Sequence, residues 1–407
     1  MIAFFKTQLG FSILLAAVLV GFYMTCAAYC ILLERKVAAW VQDRRGPNRV
    51  GPAGLLQPLA DGLKFLFKED IVSANVDRPV FLLAPAIAFV VAMVGFAVIP
   101  WAGRLRLGDG LVNVQVASVD IGLLYILAVG AISVYGVVLG GWASNNKFSF
   151  YGGMRAAAQL LSYEIPMGLA ILVVVITSGQ VRLEEIVAGR TGQLATTWNI
   201  LLHPAAFLIL LITAFAETNR TPFDLAEAEQ ELIDGYLTEY SSMKLAMFYL
   251  GEYAHMITAS AFMVVLFLGG WEPFPLSNRL ADWLGLAWLR WLNHDPAPGA
   301  MLLRFGVTLG KIGFFVLLFM WVRWTVPRFR FDQLMRLAWG GLVPIALALV
   351  AWTGVLVYVG RSASVWAPIG DVAILAVILA WLALAKPQPT GRQRHLPPVP
   401  GSLISRF

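Results

Sequence analysis

The amino-acid sequence predicts an all-α polytopic membrane protein with about nine transmembrane helices and an amphipathic cytoplasmic surface helix. Hydrophobic residues make up 59% of the 407-residue chain and charged residues only 13%, whereas soluble domains average roughly 45–50% and 25%. Repeated apolar runs approach the ~20 residues that an α-helix needs to cross a bilayer. A transmembrane β-barrel would instead show alternating segments of about ten residues.

Nine apolar runs mark the predicted spans. They cover about residues 9–33, 80–101, 119–143, 157–178, 199–216, 245–270, 302–322, 341–359 and 367–385. We interpret the first run as a retained span and not as a signal peptide, because it is too long and no small-residue cleavage site follows it. Residues 1–386 are therefore predicted to form one helical bundle, and the Pro/Arg-rich residues 387–407 a cytoplasmic tail.

Basic residues set the predicted orientation, since cytoplasmic loops carry an excess of Lys and Arg. Of the 30 Lys and Arg, 20 fall on the side of the loops that follow odd-numbered spans, nine fall on the other side and one lies within a span. We therefore expect the N-terminus outside and the C-terminus in the cytoplasm. The predicted cytoplasmic loops are residues 34–79, 144–156, 217–244 and 323–340.

The first cytoplasmic loop contains a predicted surface helix. Leucines recur there at helical spacing after two Gly-Pro turns: Leu55, Leu59, Leu63 and Leu66. A helix with one apolar and one charged face is expected to lie in the plane of the lipid headgroups. As an alternative, it forms a lid packed on the bundle. Both interpretations hold if the helix is the threshold over which a lipid-soluble ligand arrives from the bilayer.

Carboxylates are concentrated between the fifth and sixth spans. Residues 216–240 hold seven of the 24 acidic residues, namely Glu217, Asp224, Glu227, Glu229, Glu231, Asp234 and Glu239, with Arg220 as their one basic neighbour. Thr221 and Pro222 predict the start of a short helix with Thr221 at its N-cap. Such a run is ordinarily a solvated face, but acids near a helix C-terminus oppose the helix dipole. This conflict favours a working role.

Three glutamates lie within the cytoplasmic halves of predicted spans: Glu164, Glu217 and Glu252. A charge in lipid is costly and marks a functional position. Together with the loop acids, these residues can form a file of carboxylates. Carboxylates that lie close together share protons and titrate as a group, as proton movement or charge sensing requires. Glu34 lies at the inner end of the first span, and His255 follows Glu252 by one turn.

The remaining candidates indicate no redox centre in this chain. Its two cysteines, Cys26 and Cys30, lie within the first span, and two cysteines cannot ligate an iron–sulfur cluster. The sequence has no zinc or haem spacing and no glycine pattern of a nucleotide site. We expect no metal and no nucleic-acid partner. Lys311 and Asp371 look peripheral to the predicted carboxylates.

Five long segments, in order along the chain, resemble the signatures of one family. They are "ERKVAAWVQDRRGPNRVGPAGLLQPLADGLKFLFKE", "GWASNNKFSFYGGMRAAAQLLSYE", "AETNRTPFDLAEAEQELIDGY", "GEYAHM" and "PRFRFDQLM". Over about residues 10–350 the chain resembles the H-type membrane component of bacterial NADH–quinone oxidoreductase (complex I), whose mitochondrial counterpart is NADH dehydrogenase subunit 1. The resemblance implies a component at the heel of the L-shaped complex. Its cytoplasmic loops would build the membrane side of the quinone tunnel, and its acids would couple quinone reduction to proton pumping.

The resemblance implies roles for particular residues. The tunnel or its mouth would include Arg35, Asp61, Arg220 and Phe223. The acidic, proton-coupling channel would include Glu164, Glu217, Asp224, Glu227, Glu229, Glu231 and Glu252. Quinone would be a substrate, and no cofactor would be bound covalently.

The resemblance also implies partners and a location. The partners would be membrane lipid and other complex I subunits: the peripheral-arm quinone-site and iron–sulfur subunits, and small membrane subunits leading to antiporter-like subunits. The location would be the bacterial cytoplasmic (inner) membrane. The chain departs from the family pattern at Gly340, where a lysine is usual, and at residues 235–238. The ninth span and the tail extend past the common eight-span core.

Two other classes of protein remain as alternatives. The core membrane subunit of a membrane-bound hydrogenase has a similar architecture, with acids that serve ion transfer alone. The predicted surface helix and the segment "GPNRVGP" favour the quinone enzyme. A stand-alone carboxylate-lined ion transporter would show inverted repeats and spans broken at mid-membrane, and we find no repeat.

Overall fold

The chain folds as a bundle of apolar helices. The computed structural model describes residues 7–107, 110–188, 198–226, 234–275, 283–285, 287–362 and 364–384. Within these residues, seven helices are long and apolar enough to cross a membrane, and two shorter apolar helices accompany them. Each of the nine coincides with one predicted span, and the all-α prediction is confirmed.

The helices are α1 (Gln8–Val41), α2 (Gln57–Phe67), α3 (Arg78–Val94), α4 (Gly122–Ala143), α5 (Lys147–Ser178), α6 (Leu183–Ala188), α7 (Pro204–Glu217), α8 (Ser242–Phe267), α9 (Ala287–His294), α10 (Pro298–Thr325), α11 (Phe331–Arg336), α12 (Val343–Tyr358) and α13 (Trp366–Leu384). A π-helical segment, Leu337–Leu342, joins α11 to α12. The two shorter apolar helices are α7 and α13.

Two helices extend past their predicted spans. Helix α1 continues to Val41, eight residues beyond the predicted end at 33, and α5 begins at Lys147, within the predicted loop 144–156. Hydropathy marks where a helix leaves apolar surroundings, whereas capping and turn residues mark where it ends. Asn146 caps α5, since its side chain accepts a hydrogen bond from Phe148 N at 3.0 Å. At the other end, Gly179 takes the left-handed conformation that stops the helix (φ +67°).

Helix α8 is the centre of the bundle. Of its apolar window 83% is buried, against 17% for α1. It packs against α1, α3, α7 and α10, while α5 contacts α4, α7 and α12. Helix α13 lies at the edge, against α7 and α12. Residues on α8 are therefore enclosed by other helices.

A small β-hairpin, which the sequence did not predict, follows the α3 segment. Strands β1 (Arg104–Leu107) and β2 (Gly110–Asn113) pair antiparallel, with Leu105 opposite Val112. Both of these side chains are buried. The alternation Arg-Leu-Arg-Leu is the period of a half-buried strand, but four residues are too few to stand out between long apolar runs.

The predicted surface helix is present as α2. It begins at Gln57, two residues after Leu55, and has no buried residue. Its leucines Leu59, Leu63 and Leu66 remain exposed. An exposed apolar face of this kind is typical of a helix lying at a membrane surface.

Candidate functional site

A buried ion-pair cluster joins α1, α8 and α10 to the loop after α7. The Glu34 carboxylate accepts hydrogen bonds from Arg220 Nη1 at 2.9 Å and from the Tyr253 hydroxyl at 2.7 Å. Arg323 pairs with the other oxygen of Glu34. The Arg220 guanidinium also lies over the Tyr253 ring, 4.1 Å from its centroid. Buried charges are tolerated when they are paired and hydrogen-bonded in this way.

Arg220 also faces a second carboxylate. Its Nη2 lies 3.9 Å from Glu252 Oε2, and the other oxygen of Glu252 accepts a hydrogen bond from the Tyr236 hydroxyl at 3.2 Å. One guanidinium therefore lies between Glu34 and Glu252. A change of charge on either acid alters the field at the other, because a nearby opposite charge favours the ionised form of each.

Glu217 ends α7 and faces two other helices. Its Oε1 lies 3.4 Å from His255 Nε2 on α8. On α4, Gly130 leaves the room that this carboxylate occupies, since a Cβ on Gly130 would lie 2.9 Å from Glu217 Oε1. A glycine is thus required there by close approach and not by backbone conformation.

Small cavities connect the three glutamates Glu164, Glu217 and Glu252, which we call the acidic file. Glu164 and Glu217 line a cavity of about 10 Å³, and Glu217 and Glu252 line one of about 50 Å³ together with His255. A water molecule requires about 10–15 Å³ and two to four polar partners. The second cavity meets both conditions, and the first is close to the lower limit of volume.

A much larger cavity, which we call the α1–α2 cavity, lies between α1, α2, α8 and the end of α10. It has a volume of about 780 Å³ and a mainly apolar wall. Glu34, Arg35 and Asp61 are among its few charged lining residues. Arg35 donates to Asp61 at 2.7 Å, and Gln57 donates to the other Asp61 oxygen at 2.9 Å. An apolar cavity of this size with a few placed polar groups is typical of a small-molecule site.

The acidic loop begins with turns and not with the predicted helix. Residues 221–226 form turns, so the expected N-cap at Thr221 is wrong. Asp224 instead accepts from Arg328 at 2.8 Å. Burial raises the pKa of the Asp224 carboxyl, and Arg328 partly opposes that rise. The tertiary ion pair holds the loop where a local helix was expected.

Phe223 packs away from the α1–α2 cavity. Its ring lies 5.4 Å from that of Tyr163 and 5.6 Å from that of Phe329, measured between centroids. It does not line the cavity, and neither does Arg220, which contacts it through Glu34 and Tyr253. Phe223 therefore fixes the loop that positions Arg220.

Comparison with known proteins decides the family. A sequence model of the NADH dehydrogenase family matches residues 14–354. The chain belongs to this family.

Individual relatives in this family carry a more specific name, that of the H component of NADH-quinone oxidoreductase. The Flavobacterium psychrophilum protein of this name is 47% identical over 332 residues, which cover 82% of this chain and 92% of that protein. The Leptospira biflexa protein of the same name is 44% identical over 345 residues, covering 82% and 90%. An H component from Solibacter usitatus is 44% identical over 383 residues, covering 85% and 96%.

The structure brings together most of the residues that the family resemblance implied. Glu164, Glu217 and Glu252 share cavities, Arg35 and Asp61 pair at the α1–α2 cavity, and Arg220 links the two regions. Glu227, Glu229, Glu231 and the tail 387–407 lie outside the described residues. Among the described residues, no group of three or more His, Cys, Asp or Glu side chains could hold a metal ion.

Sequence reasoning missed the partners of Glu34 and the burial of Asp371. Glu34 had been singled out by its position in a span, but Arg323 and Tyr253 carry no local signal of their roles. Asp371 lies outside the acidic file yet is fully buried, with its carboxylate 3.3 Å from His203. The signal for both acids was the cost of a carboxylate on an apolar helix.

Proposed function

We propose that this chain is the H-type membrane component of a proton-translocating NADH–quinone oxidoreductase. In this role the α1–α2 cavity forms part of the membrane side of the quinone path, and the acidic file couples quinone reduction to proton movement. The observation that carries the proposal is the unbroken connection between the two. It runs from the cavity through Glu34 and Arg220 to Glu252, and through two small cavities to Glu217 and Glu164.

The chemistry of quinone reduction explains why such a connection is useful. A quinone takes up two electrons and two protons to become a quinol. Negative charge arriving near Glu34 would disfavour the ionised form of that acid and would draw Arg220 towards the cavity. Glu252 would then lose part of its counter-charge and bind a proton more readily. Water in the cavities beside Glu217 would carry the proton onward along the acidic file.

Electrons must come from a partner protein. The chain has two cysteines, both in α1, and iron–sulfur clusters need more ligands than these. We infer that iron–sulfur and quinone-site subunits of a peripheral arm dock over the loops at 34–79 and 217–244, and that small membrane subunits continue towards antiporter-like subunits. The chain would lie in the bacterial inner membrane with its N-terminus outside.

Replacing the buried acids tests this proposal. A glutamine keeps the shape and hydrogen bonding of a glutamate but cannot exchange a proton. Glu164→Gln and Glu252→Gln should therefore assemble normally, lose most proton translocation and lose much NADH–quinone activity. Proton translocation and NADH–quinone activity are measured in vesicles and normalised to assembled complex.

The matched control is Asp371→Asn, which changes a buried acid outside the acidic file. It should leave the ratio of protons moved to quinone reduced unchanged. Parental pumping and turnover in both glutamine variants would refute the relay. Before the assay the complex is purified in mild detergent, and NADH dehydrogenase subunits should co-purify. Recovery of hydrogenase subunits, or of this chain alone, would support one of the rival classes.

A further inference from the structure

The α1–α2 cavity carries more positive charge than its own pairs account for. Four arginines line it against two carboxylates. Asp61 pairs with Arg35, and Glu34 pairs with Arg323. The remaining two arginines, Arg44 and Arg45, are exposed, and neither forms an ion pair with any described residue. The excess charge is thus located at one place on the rim.

The segment that carries these two arginines is held in place. Lys36 Nζ donates to the carbonyl of Ala53 at 2.8 Å, and Arg44 N donates to the carbonyl of Ala39 at 2.8 Å. Gly54, in the left-handed region (φ +81°), lies so close to Pro47 that a Cβ would stand 2.3 Å from its carbonyl oxygen. A rim fixed in this way loses less entropy when it binds a ligand than a flexible loop would.

The wall next to this rim is apolar and exposed. Leu59, Leu63 and Leu66 of α2 line the same cavity, and each is more than 40% exposed. The site therefore combines two unpaired guanidinium groups with a hydrophobic face. A quinone is neutral and does not require two cations, whereas a phosphodiester is bound well by arginine. Basic pockets between helices near a membrane surface are typical sites for anionic lipid headgroups.

We propose that Arg44 and Arg45 bind the phosphate headgroup of an anionic phospholipid at the rim of the α1–α2 cavity, with an acyl chain along the leucine face of α2. This inference goes beyond the quinone path, because it concerns a resident lipid at the cavity and holds whatever else passes through it. A general surplus of arginine on one side of the membrane does not account for it. Arg49, on the same segment and equally exposed, does not line the cavity.

That difference between neighbouring arginines defines the experiment. Delipidated, assembled complex is titrated with fluorescent phosphatidylglycerol or phosphatidylcholine, using the parent, the double variant Arg44→Gln/Arg45→Gln and the control Arg49→Gln. A basic residue near an anionic lipid contributes about fivefold to binding, so the double variant should bind phosphatidylglycerol about 25-fold more weakly. Arg49→Gln should bind like the parent, and phosphatidylcholine should bind weakly throughout.

Several results would overturn the inference. Parental affinity in the double variant would exclude the two arginines, and an equal loss in Arg49→Gln would show unspecific attraction to a basic surface. Loss of peripheral subunits from the double variant would show that the arginines contact protein. Inorganic phosphate should compete only far above the lipid concentration, and equal potency would exclude the acyl-chain contact. Glu164→Gln should leave lipid binding unchanged, so failure of the relay and failure of the lipid site give separate results.

Discussion

At the scale of single residues, Arg220 has the most consequential position. It is 4% exposed and lies between Glu34 and Glu252, over the ring of Tyr253. Arginine suits this position because its planar guanidinium forms several directed hydrogen bonds and stacks on an aromatic ring at the same time. Lysine offers the charge but neither the fork nor the stacking surface. The site therefore depends on the shape of the cation as well as on its charge.

Arg220→Ala should separate electron delivery from quinone chemistry. Removing one member of a buried ion pair costs roughly 3–5 kcal/mol, because the other charge is left uncompensated. Displaced acids at the cavity should lower quinone reductase activity by on the order of 10²-fold. NADH–ferricyanide activity, which bypasses quinone, should survive. Arg220→Lys is the control and should retain part of the quinone activity, whereas normal quinone turnover in an intact Arg220→Ala complex would contradict the assignment.

Some of these residues could be predicted from sequence and others could not. Glu164, Glu217 and Glu252 stand out because a carboxylate on an apolar helix is costly anywhere. The partners of Glu34 do not, since Arg220 is 186 residues away and Arg323 is 289 residues away in sequence. Periodicity reports only which face of a helix is apolar. Such long-range pairs come from packing, which a single sequence does not reveal.

At the scale of elements, the same limit applies to where helices begin and end. All nine apolar runs became helices, because about 20 apolar residues have few alternatives in a membrane. The extensions of α1 and α5, the hairpin and the turns at 221–226 were not predicted. Each is decided by a cap or by a tertiary contact. The Asp224–Arg328 pair, for example, joins segments that no local pattern relates.

Helix α13, which lies beyond the matched residues 14–354, illustrates docking through a polar contact. Asp371 contacts His203 of α7 at 3.3 Å, and His203 Nε2 lies 2.9 Å from the Thr177 hydroxyl of α5. The backbone at Gly370 meets the Trp352 indole, since a Cβ there would stand 2.1 Å from Nε1. All of these contacts are specific to one position of α13 along the bundle.

We expect Asp371 and His203 to act as a coupled pair in stability. Asp371→Ala leaves a buried imidazole without its partner and should cost about 1–3 kcal/mol. His203→Ala should cost a similar amount, and the double variant less than the sum, because neither variant strands a partner when both are absent. Thermal unfolding of the detergent-solubilised complex measures this. The control is Val372→Ala, at an exposed site on α13; additive losses for Asp371 and His203 would rule out the coupling.

At the scale of the whole molecule, the short helix α7 explains how charge comes to lie inside the bundle. Its 14 residues span only ~21 Å, less than the ~30 Å of a hydrocarbon core. One end lies beside the end of α5, through Thr177 and His203, and the other reaches only as far as Glu164. The chain after α7 is buried, with Arg220 4% exposed. Irregular backbone at membrane depth is tolerated when protein encloses it, so the ion-pair cluster can lie well below the membrane surface.

This arrangement has a direct consequence for the topology of the molecule. If α7 completes the fifth crossing together with the enclosed loop, the loops at 34–79 and 217–244 lie on the same, cytoplasmic side, and the 271–301 segment lies outside. The count of 20 basic residues against nine favours the same orientation. Cysteines introduced at Asn48 and Asn293 should therefore react with an impermeant thiol reagent from opposite sides of the membrane. Asn48→Cys should be labelled in inside-out vesicles and Asn293→Cys in intact cells.

The parent chain controls for its two native cysteines, which lie in α1 and should remain unlabelled from either side. Labelling of both introduced cysteines from the same side would show that an odd number of crossings does not separate these two segments. Helix α7 would then be a re-entrant element, which enters and leaves on one side. In that case Glu217 would still face Glu164 and Glu252, but the proton path that they form would open to the opposite compartment.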